Sequence, residues 1–227
     1  MPRSFFTTST SRRLNSAAAI HSRRDALAWL AAAPWLLAAR PVRADTTRSL
    51  FDGTTLGSWR SVNFGGEGAV SIVDRAIRLE RGNDLTGVVW TGPPLGRDYR
   101  LTVEARRVDG TDFFGAITFP VAGAHCTFVV GGWGGSVVGF SSLDGLDASE
   151  NETSRSMRFD DRRWYKLAVD VTPTRMQGLI DEVVVAETTL AGRQIDVRVE
   201  MTPCRPLGIA SWRTTSDLRA ITLLERA

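Results

Sequence analysis

The chain has 227 residues, 43% of them hydrophobic and 23% charged, a balance that excludes a fibre, a long disordered chain and a multi-span membrane protein. Its 28 Lys and Arg against 25 Asp and Glu give a formal charge of +3, spread along the chain, so no nucleic-acid-binding arm is indicated.

The first predicted element is a leader. Residues 1 to 24 carry Arg3, Arg12, Arg13, Arg23 and Arg24 among many Ser and Thr, and the apolar run Ala26 to Ala39 follows. A basic segment, a 14-residue apolar run and then Val42-Arg43-Ala44 predict a signal peptide over residues 1 to 44, cut before Asp45. Pro34 interrupts the run, which is shorter than the ~18 apolar residues of a spanning helix, so no stable membrane span is expected after processing. Ser22-Arg23-Arg24-Asp25-Ala26-Leu27 resembles the twin-arginine export signal of bacteria, with Ala26 where that pattern usually has Phe. The expected location is periplasmic or secreted, and residues 45 to 227 are expected to form one domain. The leader holds seven Arg and one Asp, so the 183 residues after it carry a formal charge of −3. That mild acidity argues against a nucleic-acid partner.

From Leu50 onward the pattern is one of short strands. Candidates are Val70 to Val73, Ala76 to Leu79, Gly87 to Trp90, Phe114 to Phe119, Thr127 to Val130 and Ser136 to Phe140, then Met176 to Ile180, Glu182 to Ala186 and Gly208 to Ser211. Tyr99, Leu101, Val103 and Ala105 alternate with Arg100, Thr102, Glu104 and Arg106, the period of a sheet with one wet face. Tyr165 to Val171 repeats it, and Arg219 to Leu223 is a last strand with Ile221 and Leu223 inward. Asp52-Gly53, Asp109-Gly110 and Asp144-Gly145 predict tight turns, and Gly92-Pro93-Pro94 a strand break. No stretch after the leader sustains a helical stripe for three turns. Ten or more short strands at this spacing predict an all-β sandwich of two antiparallel sheets, with the first and last strands near each other.

Gly131-Gly132-Trp133-Gly134-Gly135 is the most distinctive segment. Four glycines leave the indole little local cover, so Trp133 reads either as a flat platform for a sugar ring or as a hairpin residue capping the core. It matches neither GxxxxGK[ST] nor GxGxxG, so a phosphate or dinucleotide site has no support. Residues 141 to 153 form the densest acidic loop, with Asp144, Asp147, Glu150 and Glu152. The loop reads either as a calcium site or as a solvated acidic loop, its spacing failing the EF-hand pattern. Asn151-Glu152-Thr153 matches a glycosylation sequon.

His125, the sole histidine after the leader, reads as a general base or as a structural histidine tied to backbone. Glycoside hydrolysis commonly needs two carboxyl groups, but no pair here has the i, i+2 spacing on one strand that many sandwich glucanases use. A GxSxG elbow is absent. Cys126 and Cys204 read either as a disulfide or as two buried thiols.

Leu50-Phe51-Asp52-Gly53-Thr54-Thr55-Leu56-Gly57-Ser58-Trp59, Asp98 to Glu104, Arg163 to Leu167 and Gly208 to Arg213 together resemble the 3-keto-disaccharide hydrolase domain family over nearly the whole chain after the leader. The chain departs from that pattern at Asp112 to Pro120 and at Thr127 to Val130. The resemblance implies a concanavalin A-like jelly-roll sandwich. It also implies cleavage of sugars oxidised at C3, whose ketone lets the glycosidic group leave after one base removes a proton, and a partner sugar oxidoreductase that makes them. On this reading Asp112, His125 and Glu150 are the acid/base groups, Trp133 stacks on the sugar, and Arg213 and Asp144 hold its oxygens. The competing expectation is a noncatalytic lectin-like carbohydrate-binding module.

Overall fold

The computed structural model describes residues 44–227, so the signal peptide and twin-arginine readings lie outside the described residues apart from Ala44. Fifteen strands follow in chain order among them: β1 Thr46–Ser49, β2 Trp59–Ser61, β3 Val70–Val73, β4 Ala76–Leu79, β5 Leu85–Trp90, β6 Tyr99–Gly110, β7 Ala116–Val121 and β8 Ala124–Gly131. The rest are β9 Val137–Ser141, β10 Arg155–Ser156, β11 Tyr165–Val171, β12 Arg175–Ile180, β13 Val183–Thr189, β14 Gly208–Trp212 and β15 Thr214–Glu225. A short 3-10 helix spans Val199–Cys204. No helix among the described residues is long and apolar enough to cross a membrane.

The strands form two antiparallel sheets, one of eight strands ordered β13-β12-β11-β6-β15-β4-β3 with β1 also on β15, the other of seven ordered β10-β9-β8-β7-β14-β5-β2. This is the expected all-β jelly-roll sandwich. The period-2 pattern places the core: Tyr99, Leu101, Val103 and Ala105 of β6 are all fully buried, and they face Ile117, Phe119, Phe128 and Phe140 of the other sheet. Tyr99 also ties the sheets together, its hydroxyl donating to the Pro120 carbonyl at 2.6 Å. The first and last strands meet as expected, with Thr46 of β1 opposite Glu225 of β15.

Hairpin turns are made by pairs of residues at positive φ, the I′ geometry that matches strand twist. Asp144 and Gly145 (φ 52° and 80°) do this as expected. So do Asp74-Arg75, Ala122-Gly123 and Asp181-Glu182, most of which lack the glycine that marks such turns in a sequence. Asp109-Gly110 is not a turn. It continues β6, because Asp109 and Gly110 find partners in Thr215 and Thr214 of β15, and those ladder bonds outweigh the local turn preference.

The two thiols are separated by a sheet. Cys126 points into the core between the sheets, whereas Cys204 belongs to an apolar cluster on the outer face of the seven-stranded sheet. Both are free and buried, and burial pushes each thiol pKa up to about 12.

Candidate functional site

The outer face of the seven-stranded sheet is recessed for a local reason. Ala116 of β7 pairs with Ala210 of β14, which pairs with Gly87 of β5, so three of the smallest residues stand side by side across neighbouring strands. A cleft of about 210 Å³ opens at this face, with Ala116 in its lining. Its apolar lining is Leu85, Phe113, Val129, Trp133, Met201 and Trp212, and its polar groups are Asp112, Thr127, Ser141, Arg198 and Glu200. An apolar recess with a few placed polar groups is the usual form of a small-ligand site.

Trp133 reaches this cleft through a tight coil joining β8 to β9, in which Gly131, Trp133, Gly134 and Gly135 have φ of 77°, 51°, 84° and 110°. Glycine adopts such angles freely, and Gly135 also has no room for more: a Cβ there would lie 2.7 Å from the Thr111 carbonyl oxygen. The indole is 44% exposed, so Trp133 does not cap the core. A second aromatic wall is formed by Phe113 and Trp212, whose ring centres are 6.3 Å apart and whose backbones join through Trp212 N–H donating to the Phe113 carbonyl at 3.0 Å.

The remaining wall is a strap, residues 190 to 205, laid over the sheet's outer face. Its backbone pairs with the acidic loop, Ser142 N–H donating to the Asp196 carbonyl at 2.7 Å and Asp144 N–H to the Gln194 carbonyl at 2.8 Å. Met201 and Cys204 anchor it in the outer apolar cluster. From this strap Arg198 and Glu200 enter the cleft lining. Arg198 donates to Glu200 at 3.1 Å and also to Asp147. The Arg198 bond holds the Glu200 carboxyl below the usual carboxylate range.

Of the six residues singled out from the sequence, Asp112 and Trp133 meet in the cleft. Asp112 accepts the N–H of Phe113 at 2.8 Å and that of Gly134 at 2.9 Å. Arg213 lies outside the lining, paired with Asp84 at 2.7 Å, its guanidinium 5.6 Å from the Trp212 ring centre. His125 shares the outward side of β8 with Thr127 and Val129 but sits by Asp196 and Arg205 instead of in the lining. Burial first, and then the charge of Arg205, lower its pKa.

Glu150 is exposed on the acidic loop, outside the cleft lining. Asp144 is bound to Arg193, which lowers its pKa, and to the Gln194 N–H.

The acidic loop does not fit calcium. Three of its four carboxylates are taken up by cations of the strap: Asp144 and Glu152 by Arg193, Asp147 by Arg198. Among the described residues no three His, Cys, Asp or Glu side chains gather as a cation site. Asn151 of the sequon is buried, its amide donating to the Phe140 carbonyl at 2.7 Å and its oxygen accepting from Thr153.

Trp212, Arg198 and Glu200 were not singled out from the sequence. A signal for Trp212 existed, since the alternation of β14 puts Ile209 inward and Ala210 and Trp212 outward. The strap carried none, for it has neither period.

No protein-family model matches the chain, and no curated protein matches its sequence. Solved structures do. A β-glucanase from Bacillus licheniformis superposes with a TM-score of 0.53 at 11% identity, over 82% of this chain and 99% of the enzyme. Crh5 transglycosylase in complex with NAG gives 0.55 at 13% identity, over 82% and 85%. The carbohydrate-binding module CBM66 from Bacillus subtilis gives 0.50 at 14% identity, over 73% and 94%. At such identities the likeness is one of fold. The chain is a concanavalin A-like β-sandwich with an apolar, aromatic-walled cleft on the outer face of one sheet.

Proposed function

We propose that the cleft binds a carbohydrate, with Trp133 and Trp212 as stacking surfaces and Thr127, Ser141 and Glu200 as partners for its hydroxyls. The observation that carries this reading is the exposure of Trp133, held at a recess that Ala116 helps to line. Sugar rings have an apolar face that packs on an aromatic ring, and hydroxyl edges that need a few well-placed acceptors. The β-glucanase, the transglycosylase and the carbohydrate-binding module named above share this fold, which supports the reading by analogy alone. The protein is an exported one, periplasmic or secreted, in keeping with its arginine-bearing leader.

Hydrolysis of 3-keto-glycosides is the second reading, and Glu200 in the wall of the cleft favours it. Glu200 is held as a carboxylate by Arg198, so it suits the base of an elimination better than the acid of a two-carboxylate hydrolysis. A partner sugar oxidoreductase would supply the keto-sugar. His125 and Glu150, both outside the lining, are left for a role at its margins.

The purified protein is tested on a glycan array and on 3-keto-glycosides with their unoxidised parents. Binding that Trp133→Ala and Trp212→Ala abolish, with no product, supports the lectin-like module. Release from the keto forms alone, lost in Glu200→Gln, supports the hydrolase. Neither binding nor release overturns both.

A further inference from the structure

We propose that Asp112 is a positioning residue: its carboxylate fixes the Trp133 platform, and its effect on any ligand passes through that indole. The proposal rests on the cleft being a binding site but does not depend on which sugar enters it.

A bulky residue at φ 51° is held against its own preference. Such a conformation persists only where neighbouring groups over-determine it. Two backbone contacts of the coil do part of this: Ser136 N–H donates to the Gly132 carbonyl at 3.1 Å, and Gly132 bridges to Val137. A side chain supplies the rest. Asp112 Oδ2 accepts the N–H of Gly134, the residue next to Trp133, at 2.9 Å.

The same carboxylate is tied on its other side. Oδ1 accepts the N–H of Phe113 at 2.8 Å, and the Asp112 N–H donates to Thr214 Oγ1 at 3.1 Å. Phe113 in turn packs against Trp212. Asp112 is therefore the joint between the two aromatic walls, one held by its carboxylate and the other by its backbone neighbour. Both of its oxygens already accept N–H bonds, which favours a structural tie over proton transfer. Stacking depends on ring position, so loosening this joint weakens a ligand by moving Trp133, without removing a direct contact.

The test is a double-mutant cycle of Asp112→Asn and Trp133→Ala in the full protein, with Asp112→Ala as a harsher partner. Asn keeps the size of the side chain and can accept only at its oxygen. Two readouts are followed. One is near-ultraviolet circular dichroism, in which the Trp133 component is the difference between wild type and Trp133→Ala. The other is the affinity for methyl β-cellobioside by calorimetry.

The proposal expects Asp112→Asn to remove most of the Trp133 component, to speed exchange of the Gly134 amide, and to weaken the sugar about tenfold, the scale of one lost aromatic contact. In the Trp133→Ala background it should then change neither readout further. Additive losses of affinity would overturn the proposal, because Asp112 would then touch the ligand itself. So would an unchanged Trp133 component. A wild-type protein that ignores the sugar counts against the carbohydrate reading, while the spectroscopic cycle still decides the role of Asp112.

Discussion

Arg198 donates to Glu200 at 3.1 Å on the wall of the cleft, and its other nitrogen reaches Asp147. One cation thus faces two carboxylates from different segments, the strap and the acidic loop. The Arg198 bond depresses the Glu200 pKa. The stabilising contribution of Glu200 is therefore present above the ordinary Glu pKa of about 4.3 and is lost as pH falls through its lower folded value. Arg198→Ala should return Glu200 toward the ordinary range, which a carbon-13 NMR titration of its carboxyl would follow. Both groups are partly solvated, so stability at neutral pH should change by less than about 1 kcal/mol. A Glu200 titration that does not move would show that Arg198 is not its cause.

Asp217 presents a different balance. It is fully buried on β15, between Arg78 at 2.7 Å and Arg106 at 2.7 Å, from the strands on either side. Removing it leaves two guanidinium groups facing each other across a sheet. Breaking a buried pair costs about 3–5 kcal/mol, and the partial exposure of both arginines lowers this to about 2–3 kcal/mol for Asp217→Ala. Urea unfolding should show a lower midpoint at an unchanged slope.

His125 should make the fold sensitive to mild acid. Burial and Arg205 lower its pKa in the folded state, so between its folded value and about 6.5 the unfolded chain binds more protons. Stability then falls as pH drops through that window. His125→Gln should flatten the pH dependence of the unfolding midpoint there. An unchanged profile would mean that other groups set it.

The thiols should be silent. Cys126 and Cys204 lie on opposite faces of one sheet, and burial pushes each pKa up to about 12. Neither should react with a thiol reagent until the protein unfolds, and a reductant should leave the melting temperature unchanged. A shift on reduction would require a disulfide this fold does not allow.

Much of the fold was readable along the chain. Over Tyr99 to Arg106 of β6 and most of β11 apolar residues alternate with polar ones, because each strand has one wet face and one face in the core, and the pattern places Tyr99, Leu101, Val103, Ala105, Tyr165, Leu167, Val169 and Val171 in the core, where they are found. Where a strand's outer face is itself covered, the pattern weakens. Ala168 of β11 is buried on the outward side, and β14 runs buried on both faces from Gly208 to Ser211. The turns at Asp74-Arg75 and Asp181-Glu182, which the flanking candidate strands bracket, carry no glycine of their own: pairing of β3 with β4 and of β12 with β13 holds positive φ on residues that do not prefer it. Asp109-Gly110 shows the reverse, a strong local turn signal cancelled by β15.

By itself, then, the sequence determined the class of fold and the direction of most core side chains, since these follow from spacing along a few residues, but it left open whether Trp133 is exposed or caps the core, which the structure decided. Only the tertiary structure decided the cleft. It opens on a face where Ala116, Ala210 and Gly87 stand in register across three strands, and its polar wall needs a patternless strap to fold back over that face. Both are relations between residues far apart in the chain, and spacing along the chain carries no record of such distances.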